Sequence, residues 1–295
     1  MLLSLYLADT KAYTRLNPEF HHFISFDGAL GYSSLLNNSD SVTPGSGMSI
    51  HVGAGYRLFY NNFLFATGVE MHYLYNQYSM NGAKLDLKML DTEGDPFIYH
   101  VDATEGQDQV NSLNINLPLL FGAEYKRFYF LAGPKFSLNA WNSMQAQSQM
   151  IASAEYDRYI DIFEDMPNHM LGKFDIQSPE TRADWNLDVI AHVEIGARVG
   201  KISFETGADI EKPKHRVYLA LYADYGLFNL NQSTSQGYRL GYEQTSGQPL
   251  NIYLTPALMS KEMSGIRVNQ FSIGIKATVL LELPKHGPCV ICKEN

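Results

Sequence analysis

Three histidines, one cysteine pair and ten charged residues carry whatever chemistry this chain has. His51, His72 and His192 fall on the polar positions of alternating stretches. Catalysis by any of them would need a nucleophile or a metal partner within hydrogen-bond reach. No Gly-x-Ser-x-Gly, His-Glu-x-x-His or phosphate-loop motif accompanies them, so they read as structural. Cys289-Val-Ile-Cys292, with His286 nearby, has the spacing of a redox pair or of half a zinc site. A closed zinc site needs a second ligand pair that the neighbouring sequence does not supply. A disulfide between Cys289 and Cys292, or a mixed contact with a partner, therefore outranks metal, and a tail without function outranks both. No catalytic residue, cofactor or metal is expected.

The charged residues have a different logic. Asp27, Arg57, Glu70, Glu124, Lys135, Glu194, Arg198, Asp224, Lys276 and Glu282 each sit on the polar side of an alternating run, and their signs are mixed. On neighbouring strands of a narrow barrel they predict an ion-pair network that fills the interior. The functional alternative is a narrow polar pore or a proton path, which a wider barrel would favour.

The elements that position these residues are clearest in 112–139, SLNINLPLLFGAEYKRFYFLAGPKFSLN. Leu113, Ile115, Leu117, Leu119, Phe121, Ala123 and Tyr125 share one face of the first arm. Asn114, Asn116, Gly122 and Glu124 share the other. Phe128, Phe130, Ala132, Pro134, Phe136 and Leu138 continue the oily face beyond Lys126-Arg127, and Gly133, Lys135, Ser137 and Asn139 continue the polar one. Period-two alternation through a two-residue connection is a β-hairpin with self-consistent register. Each arm exceeds the usual strand of about five or six residues and reaches the roughly nine to eleven of a tilted membrane-crossing strand. The oily face is thus expected to meet lipid and the polar face to line a lumen. Phe130→Arg and Ile275→Arg should both block membrane assembly, whereas Lys135→Met should be tolerated.

The same pattern recurs in 22–35, 48–60, 63–78, 186–199, 217–227 and 271–283, which makes eight strands. The segment 202–210 also alternates, and Gly200-Lys201 would give it a tight turn. If it spans, 250–258 must span too, and the count becomes ten. Otherwise 200–216 is an elaborated turn. Tyr56, Tyr60, Phe63, Tyr125 and Phe128 cluster at the short turns, and Tyr73, Tyr75, Tyr78, Trp141 and Trp185 near the long loops, as two interfacial girdles would require. The long polar stretches 79–109, 142–184 and 231–265 follow outgoing strands, so tight turns are expected on the periplasmic side and long loops outside. Within the middle stretch, 156–166 reads as an amphipathic helix or a plug.

Composition agrees with this class. The 295 residues carry 18% charged residues, 13% aromatic residues and a formal charge of −9. That charge argues against a nucleic-acid partner, which requires a basic patch. No run of about eighteen apolar residues exists to form a membrane helix. Residues 1–12, MLLSLYLADTKA, read as the end of a signal peptide that starts upstream. The barrel then occupies 13–284, and 285–295 form a periplasmic tail holding both cysteines.

LNINLPLLFGAEYKRFYFLAGPKFSLN, YLALYADYGLFN and VNQFSIGIKATV resemble the outer-membrane β-barrel proteins of the Bacteroidetes, the group with PorT-like and OmpA-like barrels. The resemblance extends over nearly all of 20–283. It implies an integral, non-enzymatic barrel of about eight strands in the bacterial outer membrane, surrounded by outer-membrane lipid and open to other envelope proteins through its external loops. The segment 200–216 departs from the pattern as an insertion. No peptidoglycan-binding domain follows Leu283, so a wall-anchoring role does not carry over. Two further classes compete: a small lipid-modifying membrane enzyme with catalytic groups at one rim, and a soluble ligand-binding barrel, whose oily face would point inward.

Overall fold

The computed structural model describes residues 20–39, 42–91, 93–104, 106–158, 162–164, 170–184, 187–202, 215–231, 237–244 and 250–283. Asn61 and Lys126 set the register of its two tightest turns. Both adopt the left-handed region, at φ 55° and 58°, and bring Tyr60 opposite Phe63 and Tyr125 opposite Phe128. Those are the two-residue connections that the alternation predicts.

Eight strands close into one ring: β1 (Phe20–Asn37), β2 (Gly47–Tyr60), β3 (Phe63–Met80), β4 (Gly106–Tyr125), β5 (Phe128–Tyr156), β6 (Leu187–Ile202), β7 (His215–Gly226) and β8 (Val268–Glu282). Each pairs antiparallel with its neighbours in sequence, and β8 returns to pair with β1, Phe23 opposite Glu282. The chain is therefore an up-and-down barrel of eight strands. Closure matters energetically, because it leaves the ring no unpaired edge.

Ten strands are excluded by pairing. Gly200 lies inside β6, opposite Val217, so it cannot begin a turn there. Asn251–Leu254 pairs with Leu240–Glu243 in a separate two-stranded sheet instead of joining the ring. The remainder of the expected elaborated turn, 203–214, lies outside the described residues, as do 1–19, Trp185, His286, Cys289 and Cys292.

The barrel turns an oily face outward. Phe26, Leu30, Val52, Val69, Met71, Leu117, Phe121, Phe136, Ile195, Leu221, Ile273 and Ile275 are all exposed, and together they form a belt around the ring. A soluble barrel with its oily face inward is thereby ruled out. The inner face needs small residues where side chains cross: a Cβ on Gly31 would lie 2.5 Å from the Tyr222 hydroxyl.

The first two long polar stretches differ most from expectation, because their described residues are largely strand. β5 runs 29 residues, well past its ring partners. Its outer half pairs with Pro96–Ala103 on one side and Gly172–Gln177 on the other. Ala83–Leu90 adds a strand outside Pro96–Ala103. A wall of sheet thus rises beyond one end of the barrel, where loops were expected. Leu240 and Leu254 of the small hairpin pack against Val101, Ala146 and Ala152 of that wall. In the described part of 156–166 there is a short strand, Ile162–Phe163, paired with β5.

Candidate functional site

The ring register brings seven of the ten charged residues into one layer at mid-barrel. Lys135 Nζ lies 2.8 Å from Glu70 and 3.3 Å from Asp224. Lys276 Nζ lies 3.0 Å from Glu70, 3.3 Å from Glu194 and 3.5 Å from Asp27. Arg57 reaches Glu194 at 3.4 Å, and the Tyr129 hydroxyl donates to the same carboxylate. Glu70, Lys135, Glu194 and Asp224 are all buried. The other three stand apart. Glu124 and Arg198 pair at 3.6 Å near the tight turns, with Arg216 at 3.8 Å, and Glu282 meets His21 at 2.9 Å.

Charge in the middle layer is closely interleaved. Four carboxylates face three permanent cations, and His192 lies between two of those carboxylates, Nδ1 toward Asp224 and Nε2 3.4 Å from Glu194. This interleaving corrects one sequence expectation: Lys135→Met would remove the cation shared by two buried carboxylates, leaving Glu70 with Lys276 and Asp224 with His192, which is costly where a charge loses its partner.

His51, His72 and Asp224 hold donor atoms within 4.8 Å of one another, which raises the question of a metal. The His51 and His72 rings stack at 3.6 Å, and neither nitrogen of the buried His72 has a protein partner. The donor set nevertheless does not fit an ion. Asp224 Oδ2, the oxygen nearest His51 at 3.9 Å, already faces the Lys135 ammonium, and Oδ1 takes His192. A divalent cation there would be placed against a fixed ammonium. The histidines are packing elements of the charged layer.

Apolar layers cover this layer at both ends. Toward the tight turns Phe23, Phe59, Leu64, Leu120, Leu131, Tyr218 and Leu280 fill the lumen, and the Arg216 guanidinium stacks over Phe23 and Phe59. Toward the wall the two short 3-10 turns Ala257–Met259 and Lys261–Met263 enter the mouth. Leu258 and Met263 pack there on Leu35, Tyr78, Val110 and Met144. Tyr78 therefore belongs to this cap and not to an outer girdle. The plug expected of the middle stretch is supplied by the connection between β7 and β8. Asp108 holds it, accepting from Arg239 at 2.6 and 2.5 Å and from the Ala257 amide at 2.6 Å. Among the described residues, packed side chains thus close the charged layer on both sides.

No protein-family model and no curated protein matches the chain. Among solved structures it is similar to Ail, the attachment invasion locus protein of Yersinia pestis, in complex with the heparin analogue sucrose octasulfate. The identity there is 9% over 88% of this chain and 99% of that one, with a TM-score of 0.27. It is also similar to the Pseudomonas putida toluene transporter TodX, at 8% identity over 92% and 91% of the chains and a TM-score of 0.15. Acinetobacter baumannii OccAB4 follows at 8% identity, 89% and 98% coverage and a TM-score of 0.11. Likeness at these scores carries no functional argument.

Several residues that make the site escaped the sequence reading. Tyr129 and Leu131 share the parity of Lys135, and Tyr218 and Tyr222 share that of Asp224, so alternation itself places all four inside. Arg239 and Asp108 are 131 residues apart, and no local pattern joins them.

Proposed function

We propose that the chain is a non-enzymatic protein of the bacterial outer membrane that acts through the wall it raises outside the cell. The carrying observation is the apolar belt. Water-exposed proteins seldom carry contiguous apolar patches beyond a few hundred Å², yet here one circles eight strands. Lipid is the solvent that makes such a belt favourable, and a closed barrel leaves no backbone group unpaired within it. No helix of the described residues is long and apolar enough to cross a membrane. Tyr56, Tyr60, Phe63, Tyr125 and Phe128 at one rim, with Tyr73, Tyr75 and Trp141 toward the other, supply interfacial aromatics. The tight turns then face the periplasm.

A lumen closed by two apolar layers favours a scaffold over a pore. Recognition falls to the wall, in keeping with kinship to the Bacteroidetes barrels whose strand motifs this chain resembles. Outer-membrane lipid surrounds the belt, and another envelope protein is the fitting partner for the wall, in a structural or secretion-accessory role. The deciding experiment is electrophoresis of detergent-extracted protein with and without boiling, followed by planar-bilayer recording. A heat-dependent shift without stable conductance is expected. Absence of the shift overturns the membrane reading, and a large steady conductance overturns the sealed lumen.

A further inference from the structure

On the outward face of the wall, glutamines align across strands. Gln77 of β3 lies opposite Gln109 of β4, which lies opposite Gln145 of β5. One step further out Gln107 lies opposite Gln147, and Gln147 opposite Gln177. Partners in register share a face. It is the same face that carries the belt lower down, where Met71, Ile115 and Leu138 form one row and Tyr73, Leu113 and Trp141 the next.

Spacing decides what reaches this face. Residues rise about 3.4 Å each along strands tilted by roughly 40°, so the two glutamine rows stand about 5 and 10 Å beyond Tyr75, the outermost aromatic of this face, along the membrane normal. A phospholipid headgroup region is only about 5–8 Å deep on each side. Phospholipid therefore reaches the first row at most and stops short of Gln107, Gln147 and Gln177, and a lipid with a headgroup several sugars long does not.

The chemistry agrees. Each amide offers two donors and an acceptor, the complement of paired hydroxyls. Gln107, Gln147, Gln149 and Gln177 border an open recess of about 480 Å³ that contains one carboxylate, Asp175, and neither lysine nor arginine. Such a lining selects neutral sugar over phosphate or sulfate, which call for cationic partners.

We propose that this face binds the uncharged sugars of a glycolipid headgroup in the surrounding outer leaflet. The inference rests on the outer-membrane reading. The shared chemistry, neutral saccharide hydroxyls, also occurs in free polysaccharide, and the test separates the two.

The full chain, with Trp185 replaced by Phe, is refolded into nanodiscs holding phosphatidylethanolamine and a trace of dansyl-labelled rough lipooligosaccharide. Energy transfer from Trp141, which lies just below the rows, reports local enrichment. Dansyl-phosphatidylethanolamine serves as the reference. Wild type should enrich the glycolipid over the reference, and Gln107→Ala/Gln147→Ala/Gln177→Ala should reduce that enrichment roughly tenfold, the loss of one net hydrogen bond or two. Displacement by millimolar deacylated core oligosaccharide would keep the saccharide chemistry and transfer the ligand to the free form. Equal transfer from the triple variant, with its heat-dependent gel shift intact, overturns this proposal alone. Failure of the wild-type protein to insert overturns the membrane reading together with it, and if the triple variant does not insert, Gln147→Ala alone with its gel shift intact takes its place with the same two outcomes.

Discussion

Arg239 and Asp108 meet as a bidentate pair in the barrel mouth, and the same aspartate accepts the Ala257 amide. One carboxylate thus ties the small hairpin and the cap to β4. Asp108→Ala leaves the guanidinium buried without its partner, a loss of about 3–5 kcal/mol for a buried pair. The ring does not depend on this contact, so the cost should fall on the cap. Limited proteolysis with mass spectrometry is expected to show new cleavage within 237–263 while the heat-dependent gel shift persists. Conductance should stay near zero, because the layer around Phe23, Phe59 and Leu280 remains. Conductance appearing with this single change would show that the cap alone seals the lumen.

How much of this could be read from sequence depended on contrast between faces. Inside the belt the contrast is strong, so ring strands, register and inward charges were all legible. Past the belt the alternation inverts, with Gln107, Gln109, Gln145 and Gln147 outward and Val110, Met144, Ala146 and Met150 buried, and the register shift beside Leu113 hides that inversion from a pattern read along the chain. At the tight-turn end the contrast weakens. Phe23, Phe59, Leu64 and Leu280 are apolar on the inner face, and the alternation there is blurred. The cap was illegible because its contacts join residues more than a hundred positions apart.

Lys135 lies between Glu70 and Asp224, so Lys135→Met should cost about 3–5 kcal/mol by leaving charge uncompensated. Adding Asp224→Asn removes one orphan and should recover part of the loss. Urea midpoints of the refolded protein, run as a double-mutant cycle, measure the coupling. Strict additivity of the two changes would show that the pair does not interact.

His100, on the wall, lies 2.7 Å from Asp86 and 3.1 Å from Glu155. The hydrogen bond to Asp86 raises its pKa above the usual 6.5, with Glu155 adding to the effect. A raised folded pKa contributes stability that is complete below the unfolded value and fades as pH climbs through the folded one. Amide hydrogen exchange across 97–103, corrected for intrinsic rate, should therefore show stronger protection at pH 5.5 than at pH 8.5. His100→Gln should flatten that dependence. A pH difference surviving in His100→Gln would assign it to other groups.

Depth within the belt separates two substitutions that the alternation alone treats alike. Ile275 is seven residues from the end of β8 at Glu282 and lies opposite Leu30 and Leu221, which places it near mid-belt. Phe130 is two residues from the start of β5 at its tight turn. An arginine facing lipid costs about 2–4 kcal/mol at the midplane and about 0–1 near an interface. Ile275→Arg should therefore fall in the upper range, and so should Leu117→Arg, eight residues from the end of β4. Phe130→Arg should cost distinctly less, because its guanidinium can reach the headgroups beside the turn. Refolding into lipid vesicles, with folded yield read on unboiled gels across urea, orders the three. A cost for Phe130→Arg equal to that for Ile275→Arg would mean that no depth gradient exists along the belt. The belt would then be covered by protein and not by a bilayer.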